Sequence, residues 1–256
     1  MSLINLQKNW EQLKPHVSHL YRSALRLSKT NQITQTKLGG KPSVDLNSFQ
    51  WPHSGGEPLA FVAQLDLTEL ARTLVIKWLP ITGILLFFYD IETMPSGLNT
   101  EDSGLWKIIY STKADTEANF PYQLAAEFQF DTYYLNATKI TQLPSLERSY
   151  VTALQLTDVQ KIAYEELYDR EIGDQPSHQV AGFPDCIHDD TMEKKCHQLV
   201  ETKGNKKDNW RLLLQLDSDE NAEMIWGDCG VLYFWVRERD ACVANFDDVR
   251  LIFQCY

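Results

Sequence analysis

The sequence predicts an α+β fold: mostly antiparallel β-sheet in two pseudo-repeated halves, with an N-terminal helix and intervening helices. Three observations predict it. Apolar runs of strand length recur along the chain between Gly- and Pro-rich turns. Other segments carry a helical period instead, at the N-terminus and near the middle. One phrase is also stated twice: "LAFVAQLDL" before "GILLFFYD", then "WRLLLQLD" before "GVLYFWV".

Taken in order, Leu6, Trp10, Leu13, Val17, Leu20, Ala24 and Leu27 step by four and three residues. They predict a helix over about 4–28 whose stripe covers the body of the domain, with a kink or break at Pro15. "GGKP" and "WPHSGGEP" are turns. "LAFVAQLDL" is a strand and the "TEL" after it a short helical turn. "GILLFFYD", apolar on both faces, is a central strand. "LWKIIYS" and the "AAEFQFDTYYL" region (125–135) are further strands, joined by a polar link. Thr157 and Gln160 have capping-box spacing for a helix that buries Val159, Ile162, Ala163, Leu167 and Ile172. A second helix is expected from about Asp190 to Val200, then a charged loop, "KGNKKDN". The strands "WRLLLQL", "GVLYFWV" and "VRLIFQCY" close the chain.

The echo sets the organisation. Gln64-Leu65-Asp66 answers Gln215-Leu216-Asp217, Gly83 answers Gly230, and "LGGKP" at 38–42 answers "VAGFP" at 180–184. With no linker to divide the chain, the expectation is one domain, 1–256, with halves at about 31–140 and 141–256 and a cleft at their junction.

Composition narrows the function classes. Acidic residues number 35 against 24 basic ones, a formal charge of −11, which repels phosphate backbones and argues against nucleic acid. The longest apolar runs are too short to cross a bilayer. "MSLINLQKNW" turns polar early, so no cleaved leader is expected. Five cysteines without a CxxC pair fit a cytoplasmic setting with free thiols.

The succession "GGKP … GEPLAFVAQLDL … GILLFFYD", then "SHQVAGFPDCIHDD", then "WRLLLQLDSDENAEMIWGDCGVLYFWVRERD", resembles the YwqG-like family of bacterial proteins, from about Leu38 to Tyr256. It departs from the family pattern at Ala181, at His188 and in "GGKPSVD", which lacks a second proline. The resemblance implies a domain of unknown function with no catalytic residues to carry over. Some members are encoded near secreted toxins, which implies an immunity or regulatory role.

The residues themselves offer several chemistries. Asp217, Asp219 and Asn221 have the D-x-D-x-N spacing of a calcium loop, with Asp228 at the twelfth position, but Ala222 stands where that loop needs glycine. A solvated acidic hairpin is the simpler reading, and no cofactor is expected. His178, Cys186, His188, Cys196 and His197 are zinc-ligand types at a non-standard spacing. Cys229 is a nucleophile only if a histidine or helix N-terminus lowers its pKa. Asp66 and Asp217 either face each other across the halves or cap the turns after their strands, the latter preferred. "WGDCG" reads as a turn bent at Gly227 and Gly230 over a packed Trp226. Two function classes stand: a non-catalytic binding or immunity-type protein engaging a protein partner, or an enzyme or small-ligand binder. The second would use a cleft between the halves, with Gln64, Gln215, Trp226, Asp228 and His178 as ligand-binding groups.

Overall fold

The computed structural model describes residues 11, 13–172, 176–199 and 209–256. Its first strand already departs from the sequence reading. Residues 13–17, Pro15 among them, are helical, and a 3-10 turn at Ser18–Leu20 follows. The chain then becomes strand β1 (Arg22–Lys29) where the helix was expected to continue. Within "RSALRLSK" the two-residue alternation of Leu25 and Leu27 with Arg26 and Ser28 prevails over the looser four-three stripe. Leu13, Val17 and Leu20 do cover the body, packing with Leu143, Val151 and Tyr164. Leu6 and Trp10 lie outside the described residues.

Short strands follow: β2 (Lys37–Leu38), β3 (Ser43–Val44), and the hairpin of β4 (His53–Ser54) and β5 (Glu57–Pro58) turning through the Gly-Gly pair. Next come β6 (Ala60–Asp66), helix α1 (Leu67–Thr73), β7 (Ile84–Tyr89), β8 (Trp106–Ser111) and β9 (Thr116–Glu117). Asp66 caps α1 by accepting from the backbone N–H groups of Thr68 and Glu69, the role preferred for it from sequence. The 125–135 region is not one strand: a 3-10 turn at Ala126–Phe128 precedes β10 (Tyr133–Gln142), which continues past the predicted end.

Two helices intervene, α2 (Ser149–Thr152) and α3 (Asp158–Ile172). The capping box forms as expected: Gln160 Oε1 accepts from the Thr157 N–H at 2.9 Å, and the Gln160 N–H donates back to Thr157 Oγ1 at 3.4 Å. The buried face of α3 is Ala163 and Tyr164 with Leu167 half-buried, while Val159 and Ile162 are 45% and 44% exposed. Their helical period holds, but the face is turned towards Tyr164, which donates to the Pro144 carbonyl from inside the core. The chain closes with β11 (Gln179–Ala181), α4 (Met192–Gln198), β12 (Trp210–Asp217), β13 (Val231–Arg237), α5 (Glu238–Ala241) and β14 (Arg250–Gln254). The charged "KGNKKDN" segment lies outside the described residues, save Asn209.

Ten strands form one sheet in the order β14-β13-β12-β11-β1-β10-β2-β6-β7-β8, every neighbour antiparallel. β1 and β10 occupy the centre. The sheet curls into a nearly closed barrel. Phe87 of β7 meets Phe234 of β13 across the interior at 5.1 Å, and Tyr89 meets Trp226 at 6.1 Å. The two edges are stitched rather than paired. Trp106 Nε1 donates to the Val249 carbonyl at 2.8 Å, and the Phe253 N–H to the Ser96 carbonyl at 3.0 Å. This covers edges that would otherwise present unpaired backbone. Smaller clusters coat the outside, with α4 over β12–β14 and the 44–61 region over β6 and β7.

Antiparallel order decides which strand ends share a rim. One rim gathers the start of β1, the end of β11 and the start of β12. The opposite rim gathers the end of β12 and the starts of β11 and β13. Each rim carries a cleft.

Candidate functional site

Gln64 and Gln215 are fully buried, and both close a loop in the same way. Gln64 Nε2 donates to the Gln35 carbonyl at 2.7 Å while its Oε1 accepts from the Ser43 N–H at 2.8 Å. Gln215 Nε2 donates to the Ser177 carbonyl at 2.7 Å while its Oε1 accepts from the Asp185 N–H at 2.9 Å. Each amide thus uses a donor and an acceptor on backbone that no strand neighbour serves. The likeness extends further. The Asp66 N–H donates to Thr36 Oγ1, and the Asp217 N–H to His178 Nδ1. β6 and β12 carry register shifts at Phe61/Ala63 and Leu212/Leu214. Gly39 and Ala181, at matching places, share a positive φ of 56° and 63°.

The five residues expected at one cleft do not converge. Gln64 serves the loop beside β6, whereas Gln215, His178 and Trp226 gather at the end of β12. Asp228 is exposed in the turn from Trp226 to Gly230, which is closed by a 2.7 Å bond from the Gly230 N–H to the Trp226 carbonyl. Trp226 packs beneath that turn as expected, its Nε1 donating to the Asp217 carbonyl. Gly227 takes a left-handed φ of 57°, but Cys229 rather than Gly230 supplies the second, at 50°. Gly230 is glycine for space: a Cβ there would stand 2.5 Å from the Gln254 carbonyl oxygen.

Around Gln215 the carboxylates are engaged by the protein itself. Asp217 Oδ2 accepts from the Ser177 N–H at 2.7 Å. Asp219 caps the 3-10 turn Glu220–Ala222 through Oδ1, which accepts from the Asn221 N–H at 2.9 Å, and its Oδ2 faces His178 Nε2 at 3.4 Å. His178 Nδ1 accepts from Asp217, which leaves the ring proton on Nε2, aimed at Asp219. That proton holds the Asp219 carboxyl down at about 2, while burial pushes Asp217 upward. Tyr133, half-buried near Asp219, is pushed up to about 12 by desolvation and by the Asp219 charge.

The calcium-loop spacing therefore builds a turn. Asp217 and Asp219 serve backbone and histidine, and Asp228 stands outside the group. Among the described residues no three His, Cys, Asp or Glu side chains are placed to hold a metal ion. The zinc-type residues are likewise dispersed. Cys196 is buried under β12–β14, His197 lies edge-on to Trp210 at 6.5 Å, and His188 is exposed. Burial raises the Cys186 and Cys196 thiols, the opposite of nucleophile activation. Asp66 and Asp217 belong to different loops, each making its own backbone bonds.

A cleft of about 410 Å³ opens on this rim. Asp185, Asp217, Asp219 and Glu220 give it an acidic wall, and Ile187, Ile225 and Tyr256 an apolar one. Sequence reasoning found Asp217 and Asp219 here but missed Asp185 and Ile187. Asp185 is placed by the Gln215 amide reaching across thirty residues of chain, and Ile187 by its N–H donating to Gln254 Oε1 at 3.1 Å. The "GFPD" stretch offered a signal, since its echo, "GKPS", runs to the residue that Gln64 holds.

No helix among the described residues is long and apolar enough to cross a membrane. A search of curated proteins finds no match to the chain. A family model does match, that of a domain of unknown function, DUF1963, over residues 36–255. The match takes in Gln64, Gln215 and the acidic cleft, and it begins after β1. Extending over most of the chain, it identifies the protein as a member of the DUF1963 family.

Proposed function

We propose that this chain is a non-catalytic binding protein of YwqG-like, bacterial, cytoplasmic and immunity type, and that it engages a protein partner at the acidic cleft. One observation carries the reading. Four acidic residues line a concave surface beside an apolar wall, in a region whose polar groups are already fixed by hydrogen bonds. Such a surface suits a lysine or arginine flanked by an apolar residue on the partner. The negative total charge would steer a basic partner towards it.

Support for the scaffold comes from duplication. We read the sheet as two copies of one unit, carried by residues about 35–111 and 177–254, with β1 and β10 between them. The like bonding of Gln64 and Gln215, the matching register shifts and the eight-residue spacing of each glutamine's two partners favour this reading. The cleft uses what the copies do not share, the Asp219–Asn221 turn.

The test is capture on the immobilised chain from the native host, with Glu220→Lys run in parallel. Glu220 is exposed, so the reversal leaves the fold intact. A partner held in low salt, released by high salt and bound about tenfold more weakly by Glu220→Lys is the expected result. Equal capture by both forms, or repeated recovery of nothing, overturns the reading. The alternative, an enzyme using Asp217 and Asp219 as acid and base, is favoured by their opposite pKa displacements. It requires turnover that Asp217→Asn abolishes.

A further inference from the structure

The opposite rim carries a cleft of about 380 Å³ with the reverse chemistry. Arg22 at the start of β1, Arg211 in β12 and Lys77 line it, with Leu74, Ile76 and Trp78 from the segment after α1 as an apolar wall. Among the described residues no carboxylate lines it, although acidic residues outnumber basic ones across the chain.

The arginines of this region are not alike. Arg148 forks onto Asp190 and reaches Glu193 at 3.2 Å, Arg211 pairs with Glu238 at 2.7 Å, and Arg237 holds Asp240 at 2.5 Å and Asp248. Arg22 makes no ion pair among the described residues, and the Tyr150 hydroxyl and the Glu193 carboxylate act on it only from further away. Its guanidinium lies over the Phe183 ring, 4.3 Å from the centroid. A half-buried guanidinium gives up hydration, and a ring face returns only part of it. Burial lowers the Arg22 pKa; Tyr150 and Glu193 offset part of that displacement, while the Arg211 and Arg148 charges add to it. Lys77, exposed on the next segment, also has no ion-pair partner among the described residues.

We propose that this rim cleft binds a small organic oxyanion, a phosphate monoester or carboxylate, held by Arg22 with Lys77 and Arg211 beside it, its apolar body against Trp78 and Ile76. The planar fork of Arg22 suits two oxygens of one anionic group. The volume is that of a small-molecule site, and rims of β-barrels are a usual place for one. A chain of charge −11 disfavours polyanions at long range, yet a single small anion meets chiefly the local cations. The proposal is independent of the partner reading, which concerns the other rim.

Calorimetric titration with phenyl phosphate, phenylacetate, inorganic phosphate and neutral benzyl alcohol tests it. At least one of the two aromatic anions should bind about tenfold more tightly than benzyl alcohol and than inorganic phosphate, and should raise the thermal midpoint. Arg22→Gln and Lys77→Gln should each weaken that binding severalfold, while Lys161→Gln, on exposed α3, leaves it unchanged. Lys77 is a surface residue, so its variant decides the matter even where Arg22→Gln does not fold. Absence of binding by both aromatic anions at millimolar concentration, or equal affinity in the Lys77→Gln chain, overturns the proposal. Inorganic phosphate binding as tightly as phenyl phosphate overturns the assignment of the apolar wall.

Discussion

Gln215 has no atom to spare: its amide joins Ser177 to Asp185 from a position with no solvent. Replacing it with Leu keeps the volume but leaves the buried Ser177 carbonyl and the half-buried Asp185 N–H unserved, at a cost of about 2–4 kcal/mol. Gln64→Leu should cost a similar amount, since its bonds have the same form, and urea unfolding of the two variants checks both. Asp219 makes a prediction that depends on pH. Its folded pKa, about 2, lies below the unfolded carboxylate value, so its ionised form stabilises the fold. That contribution is complete above about pH 4 and is lost as pH falls through about 2. Asp219→Asn should therefore cost about 1–2 kcal/mol at neutral pH, with the gap to the parent chain closing between about pH 4 and 2. Asp217 has the opposite sign: burial raises its pKa, so its contribution is favourable at low pH and lost as pH rises through the folded value. Asp217→Asn keeps an acceptor for the Ser177 N–H and sheds the penalised charge, so at neutral pH it should cost less than Asp219→Asn. Both glutamines were legible from the echo in the sequence. Their partners were not, because loop backbone carries no residue-type signal, and Arg22 was hidden inside a segment that reads as helix.

At the scale of elements, the seam of the barrel depends on close approach. Gly97 sits at φ 72° where a Cβ would lie 1.9 Å from the Leu251 carbonyl oxygen, and Asp102 accepts from its N–H at 2.9 Å. Gly55, in the β4–β5 turn, has φ 58° and open space around it. Alanine at either place incurs about 1–2 kcal/mol of left-handed strain. Only Gly97→Ala also forces β14 away from the 94–105 segment. The difference between the two variants in chemical denaturation, expected to exceed about 2 kcal/mol, measures the contact alone. The elements that the sequence made legible were those whose burial is set locally. β6, β7, β12, β13 and β14 are continuous apolar runs, and both the α1 cap and the Thr157–Gln160 box follow from short spacings. The failures were elements whose burial is set by distant neighbours. β1 is a strand because β10 and β11 flank it, and its apolar residues fit a helical stripe nearly as well. On α3, the choice of face was made by the Tyr164 hydroxyl reaching Pro144, a contact that apolar period does not encode.

For the whole molecule, the order of the sheet gives its first strand an unusual burden. β1 comes earliest in the chain but sits at the centre, pairing through eight residues with β10 and through three with β11. The strands β2, β6, β7 and β8 lie on one side of the β1–β10 pair and β11, β12, β13 and β14 on the other. Without β1, Leu25 and Leu27 leave the barrel interior, and β10 and β11 face each other across an empty strand's width of unpaired backbone. The seam at β8 and β14 does not compensate, because it is made of scattered side-chain and loop bonds rather than a ladder. A chain of residues 31–256, which retains the whole of the family match, should therefore lose the single cooperative unfolding transition of the full chain and expose apolar surface. Adding a synthetic peptide of residues 11–30 should restore the transition in proportion to its concentration, as a missing central strand would. A cooperative transition in the 31–256 chain without the peptide would mean that β10 and β11 close on each other, and the central role assigned to β1 would fail. The same chain offers a check at the basic rim: it lacks Arg22, so binding of aromatic anions should return only with the peptide.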